Sequence, residues 1–225
     1  MASGQGVADE HDPRRVIKSE TLYEGRIWNV VSDAFTLSGD DGDVLVRDYI
    51  SHPGAVAIVA LDDQDRVLLL KQYRHPARMS LWEVPAGLLD VEGEDFVAAA
   101  ARELAEEADL TAGRWDVLVD FFNSPGSSSE AIRIYLARDL ADVPEDERHT
   151  RTEEEAEIEH LWVDLEEAVA AILSGRVHNP SAVAGILAAA QAARSGFIGL
   201  RPADAPWPEH PSQRSELPVR ADADR

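Results

Sequence analysis

No cysteine occurs among the 225 residues. That absence excludes disulfides, thiolate metal sites and thiol nucleophiles together. No apolar run approaches the roughly 18 residues a membrane-spanning helix needs, and Met1 to Arg15 is polar, without the apolar stretch of a signal peptide. A cytoplasmic protein with no membrane partner is the expectation. No internal repeat is visible. Positive charge is scarce: 21 lysines and arginines stand against 43 aspartates and glutamates, a formal charge of -22. A polyanion would be repelled by such a chain unless the fold gathered a basic patch, which argues against general nucleic-acid binding, and an anionic small molecule has to be met locally by a cation or a few arginines. With 44% hydrophobic residues the chain has enough apolar material for one generous domain or a domain with an appendage.

The acidic residues are not spread evenly. Arg102-Glu103-Leu104-Ala105-Glu106-Glu107 places three carboxylates at spacings of three and four, on one face of a helix. Like charges at that spacing weaken a helix by about a few tenths of a kcal/mol per pair. A solvated acidic face is the plain explanation. A hard divalent cation such as Mg²⁺ or Mn²⁺, which takes oxygen ligands, would turn the repulsion into attraction.

The rest of the chain reads as alternating elements. Strands are expected at 16–23, 27–37 and 44–50, with Gly39 to Asp43 as a hairpin turn. Further strands are expected at 54–61, 66–73, 114–122, 131–137 and 158–163. Phe96 to Ala108, rich in alanine, leucine, arginine and glutamate, predicts a helix. Asp164 to Leu173 predicts a second, capped by its aspartate and stopped at Gly175, and Asn179-Pro180 opens a third that runs to Arg194. The apolar residues of that third helix fit packing on a sheet or on a second subunit. Residues 1–15 read as a flexible lead-in, 16–53 as a small antiparallel β subdomain, 54–200 as the main domain, and 201–225, with its five prolines, as an extended or mobile tail. The order suggests an α/β sandwich with a mixed sheet.

From Gly87 to Leu110 the chain resembles the Nudix box, Gly-x5-Glu-x7-Arg-Glu-U-x-Glu-Glu-x-Gly-U with U a bulky aliphatic residue. Gly87, Glu94, Arg102, Glu103, Leu104, Glu106, Glu107 and Leu110 fit in order. Two departures stand out: six residues separate Gly87 from Glu94, and Asp109 replaces the usual glycine. The first falls in a loop, where insertions are tolerated. The second is eased because aspartate enters the left-handed region more readily than most residues. Lys71 to His75, Leu81 to Gly87 and the Pro125 loop, Ser124 to Glu130, are similar to the ADP-ribose pyrophosphatase branch.

The resemblance implies the Nudix α/β/α sandwich plus an N-terminal antiparallel sheet exchanged between the subunits of a homodimer. It implies metal-dependent cleavage of the diphosphate of ADP-ribose to AMP and ribose 5-phosphate. Glu103 and Glu107 would ligate Mg²⁺ or Mn²⁺ with the carbonyl of Ala86, and Glu106 would add a ligand directly or through water. Glu94 and Arg102 are read as an ion pair that aims these groups, and Gly87 as the residue permitting a tight turn. Glu155, in register with Trp162, is the candidate base within Thr152 to Glu157. Arg47 and Arg74 are candidates for phosphate or ribose contacts, with surface salt bridges as the competing account. Trp28 is a candidate to stack on adenine, with core packing or a dimer contact as its competitor. Pro125 would, by the same resemblance, border the substrate. Another nucleotide sugar or a dinucleotide would suit the same box, and a non-catalytic ADP-ribose sensor is the reading from a different class.

Overall fold

The computed structural model describes residues 6–38, 42–150 and 158–213. Two apolar strands, β4 (Ala55–Ala60) and β5 (Arg66–Arg74), divide the core by simple alternation. Val56, Ile58, Leu68 and Leu70 face one side; Ala57, Val59, Val67 and Leu69 face the other. Each side is covered by helix, so strands buried on both faces read as continuous apolar runs.

The first side packs on α1 (Phe96–Ala108) through Ala99, Ala100 and Leu104. The second packs on α2 (Leu165–Leu173) and α3 (Pro180–Arg194) through Leu165, Ala182, Ile186 and Ala189. Gly185 lets α3 sit close on the sheet, since a Cβ there would come to 2.8 Å from Val59 Cγ2. The sheet, therefore, is what α3 covers. Both later helices start as their caps predict: Asp164 accepts from the N–H groups of Glu166 and Glu167, and Asn179 from that of Ala182.

Between the helical layers lie two sheets. One has the order β11-β8-β9-β4-β7, from β7 (Ala86–Leu88), β8 (Leu110–Phe122), β9 (Ala131–Asp142) and β11 (Arg201–Pro202); β4 and β9 are parallel and the other pairs antiparallel. The other joins β10 (Glu159–Asp164), β5 and β6 (Met79–Glu83). This is a mixed α/β sandwich of the Nudix type. β8 and β9 each reach several residues beyond the expected segments, because Leu110 pairs with Asp142 at the far end of their ladder. Pairing extends a strand through residues whose own pattern is neutral.

A separate antiparallel sheet is built from β1 (Val16–Glu24), β2 (Asn29–Thr36) and β3 (Val44–Ser51). The Pro125 loop ties it to the main body: Ile50 N–H donates to Ser127 O and Ser129 N–H to Ile50 O, both at 2.9 Å. The larger departure is at the other end of the chain. Where an extended or mobile tail was expected, residues 201–213 are docked, with β11 paired to β8 and with Trp207 and His210 buried. The prolines keep this segment from forming regular structure, but two aromatic rings and a buried arginine hold it down.

Candidate active site

Helix α1 carries the acidic set rigidly, and its C-terminal end is well determined. Asp109 adopts the left-handed conformation (φ 54°, ψ 34°), and its N–H bonds to the carbonyls of Leu104 and Ala105. The family's glycine position is thus filled by an aspartate in the glycine conformation. His160, on β10, places Nε2 2.7 Å from Glu107 O. A carbonyl only accepts, so that nitrogen carries the proton and the imidazole caps the last turn.

Arg102 is the hub of the cluster. Its guanidinium donates twice to Glu94, at 3.1 Å each, while one further nitrogen reaches Glu103 at 2.6 Å and Glu106 at 3.2 Å. The hydrogen bonds from Arg102 hold the Glu94 carboxyl below the usual carboxylate range. Those same bonds, and the charge of Glu103, push the arginine's pKa up further. The expected Glu94–Arg102 pair is present, and it spans from the loop before the helix to the carboxylates on it.

Glu107 lies on the buried edge of α1 and accepts a 2.9 Å bond from the N–H of Ala86. The Ala86 backbone therefore meets Glu107 through its amide. Glu103 presses on the next residue: a Cβ on Gly87 would overlap the Glu103 carboxyl group. Gly87 was expected to permit a tight turn. It sits instead within β7, and what it supplies is the missing side chain. Only glycine lets the carboxylate lie against the strand.

Among the described residues, no three carboxylate or imidazole groups converge as ligands on one point; Arg102 is the cation around which they gather. The donor set nevertheless suits a hard divalent ion. It offers only carboxylate oxygens, in excess over the one guanidinium, on one helix face against a backbone made approachable by Gly87.

The other sequence-derived candidates are dispersed. Arg74 makes a bidentate pair with Glu83, at 2.9 and 2.7 Å, and Glu83 is only 3% exposed. Arg74 thereby partners a buried carboxylate, which requires one. Arg47 is exposed on β3, its side chain donating to Val46 O at 2.8 Å. Trp28 is partly exposed beside Tyr23, with ring centroids 6.5 Å apart. Pro125 is exposed at the tip of the loop that Ser127 and Ser129 anchor to Ile50. Glu155 lies outside the described residues.

Three contributors had no place among the sequence-derived candidates: Glu83, His160 and the docked segment. A carboxylate inside the strand Leu81-Trp82-Glu83-Val84 is a signal for the first. A lone histidine gives no signal of its own.

Fold and site together define a Nudix hydrolase domain. The NUDIX domain model matches residues 51–183, and the chain belongs to that family. It is 43% identical over 203 residues to the ADP-ribose pyrophosphatase of Mycobacterium tuberculosis, covering 90% of this chain and 95% of that protein. It is 31% identical over 169 residues to the methanol dehydrogenase activator of Bacillus methanolicus, covering 75% and 88%. A crystal structure of an ADP compounds hydrolase superposes with a TM-score of 0.68 at 20% identity, over 84% of this chain and 98% of that one, a likeness of fold.

Proposed function

We propose that this protein hydrolyses the diphosphate of ADP-ribose to AMP and ribose 5-phosphate, using Mg²⁺ or Mn²⁺. The observation that carries the chemistry is the seam between α1 and β7, where Glu103 lies on Gly87 and Glu107 on the Ala86 amide. Support for ADP-ribose as substrate comes from the 43% identity to an ADP-ribose pyrophosphatase over nearly the whole chain.

In this reading Glu103, Glu107, Glu106 and the Ala86 carbonyl hold the ions. Bound cations would neutralise the diphosphate oxygens, which otherwise repel a nucleophile. Water adds to one phosphorus as the bridging P–O bond breaks, and the departing phosphate takes the bond's electron pair. The water proton passes to Glu155, then to solvent. Glu94 and Arg102 keep the carboxylates aimed. Pro125 borders the bound substrate, Arg47 and Arg74 contact its phosphate or ribose, and Trp28 stacks on adenine.

We also assign a homodimer formed through the N-terminal sheet. Leu22, Tyr23, Val44 and Val46 on β1 and β3 are more than half exposed, and burying such residues in a partner would be favourable by about 25 cal/mol per Å². Light scattering of Val44→Asp/Val46→Asp against the parent tests this; a monomeric parent sinks it.

The function is tested by AMP release from ADP-ribose with Mg²⁺ or Mn²⁺, beside ADP-glucose, GDP-mannose and NADH. Turnover of ADP-ribose that Glu103→Gln and Glu155→Gln both abolish is the expected result. Binding with no turnover in either metal would instead favour a sensor.

A further inference from the structure

Helix α1 starts without the local devices that usually secure a helix N-terminus. Asp95, at the N-cap, makes no side-chain cap hydrogen bond, and no acidic residue occupies the first turn. Tertiary packing holds this end instead. The ring of Phe96, the first helical residue, meets Trp207 edge-on with centroids 5.1 Å apart and His210 at 5.0 Å, and those two rings lie 4.7 Å from each other.

His210 also reaches the opposite wall of the seam. His210 lies over Gly54, where a Cβ would overlap its imidazole. Gly54 O accepts from Leu89 N–H at 3.1 Å, two residues beyond Gly87. Trp207 and His210 are thus wedged between the start of α1, about two turns ahead of Glu103, and the backbone that continues from Ala86 and Gly87. The wedge is itself pinned. Arg133, fully enclosed, stacks its guanidinium 4.7 Å from the Trp207 ring centroid and donates to the carbonyls of Ala205 at 2.6 Å and Pro206 at 3.2 Å.

We propose that Trp207 and His210 are positioning residues for the metal-binding carboxylates. They fix where α1 stands along β7, and so the spacing of Glu103 and Glu107 from the Ala86–Gly87 backbone. Clearance at that seam is small, since the Glu103 carboxyl group fills the space of one methyl group on residue 87. A slight slide of the helix displaces both carboxylates together. The inference rests on reading these glutamates as cation ligands, but not on the identity of the substrate.

The test uses the full chain carrying Trp207→Ala, Trp207→Phe or His210→Ala, with Val169→Ala, on α2 in the opposite core, as a control for general destabilisation. Mn²⁺ affinity is measured without substrate by electron paramagnetic resonance, and hydrogen exchange is followed over residues 96–104. The expected result is Mn²⁺ binding weakened about tenfold in Trp207→Ala and His210→Ala, with faster exchange at 96–100. Trp207→Phe restores most of the affinity, and Val169→Ala changes neither. Affinity within twofold of the parent in a folded His210→Ala protein overturns the proposal; if Trp207→Ala does not fold, His210→Ala and Trp207→Phe decide. A parent that binds Mn²⁺ yet leaves ADP-ribose intact defeats the substrate reading alone, whereas a parent that binds no Mn²⁺ defeats both.

Discussion

Arg102 and Arg133 are each gripped by a carboxylate through two hydrogen bonds, yet their surroundings are opposite in charge. Around Arg102, one guanidinium faces Glu94, Glu103 and Glu106, and its side chain is 32% exposed. Around Asp120, one carboxylate faces both Arg133 and Arg201, and Arg133 is sealed from solvent. The surplus positive charge is absorbed by main-chain carbonyls and an indole face, so that cluster is complete within the protein. Burial alone would lower the arginine's pKa, but Asp120 and Tyr135 together more than offset this and raise it. Around Arg102 the carboxylates outnumber the guanidinium three to one. A cluster closed off within the fold holds structure together; one with an excess of carboxylates, partly open to solvent, attracts a cation.

That contrast breaks first if the enclosed cluster proves dispensable. Asp120→Ala strands Arg133 in the interior and should cost about 3–5 kcal/mol, read by denaturant unfolding; a loss below about 1 kcal/mol would show the cluster is not sealed. At the open cluster, Gly87→Ala should do the reverse. The new methyl group displaces the Glu103 carboxylate, so activity should drop about a hundredfold, as expected for a misplacement near 1 Å. An unchanged kcat there would remove the seam from the mechanism.

Glu94→Gln sharpens the comparison more gently. It should raise the metal concentration for half-maximal activity about tenfold. Because Arg102 lowers the Glu94 pKa in the fold, the pair's stabilisation is present above the unfolded carboxylate value, about 4.3, and is lost as pH falls through the depressed one. Melting temperatures between pH 5 and 3 should therefore fall more steeply in the parent than in Glu94→Gln.

The smallest effect is expected at His52, a largely buried imidazole 3.8 Å from Glu130. Burial lowers its pKa, with Glu130 opposing. The folded state resists the proton that the unfolded chain takes up near pH 6.5, so stability should decline as pH drops below that value and level off once it passes the lowered one. His52→Gln should flatten that part of the melting profile.

Much of this was legible in the residues. The bounds of α1 follow from its helix formers, and the Glu94–Arg102 pair from the box spacing. Asp109 as a left-handed C-cap follows from what aspartate tolerates. Less legible was why Gly87 is glycine, because a turn and a close approach leave the same mark in one sequence. Arg74 also could not be apportioned between substrate and Glu83, since the two are not cross-strand partners (Arg74 lies opposite Met79 and Glu83 opposite Leu70) and only their side chains meet along the ladder. The docked segment was missed because prolines argue only against regular structure, not against packing. Arg133 in the middle of Ala131-Ile132-Arg133-Ile134-Tyr135 was the overlooked clue: a cation inside a buried strand needs acceptors from elsewhere in the chain.

Those acceptors are made late. Arg133 precedes Ala205 and Pro206 by 72 and 73 residues, so its sheet, already carrying the Asp120 pair, is covered only when residues 201–213 fold back onto it. Contacts of such long range slow folding. A protein cut before residue 201 would carry every box residue and still leave Arg133 without its carbonyl acceptors and Phe96 without its ring neighbours, which makes an intact 201–213 segment a condition for a sealed core beside the box.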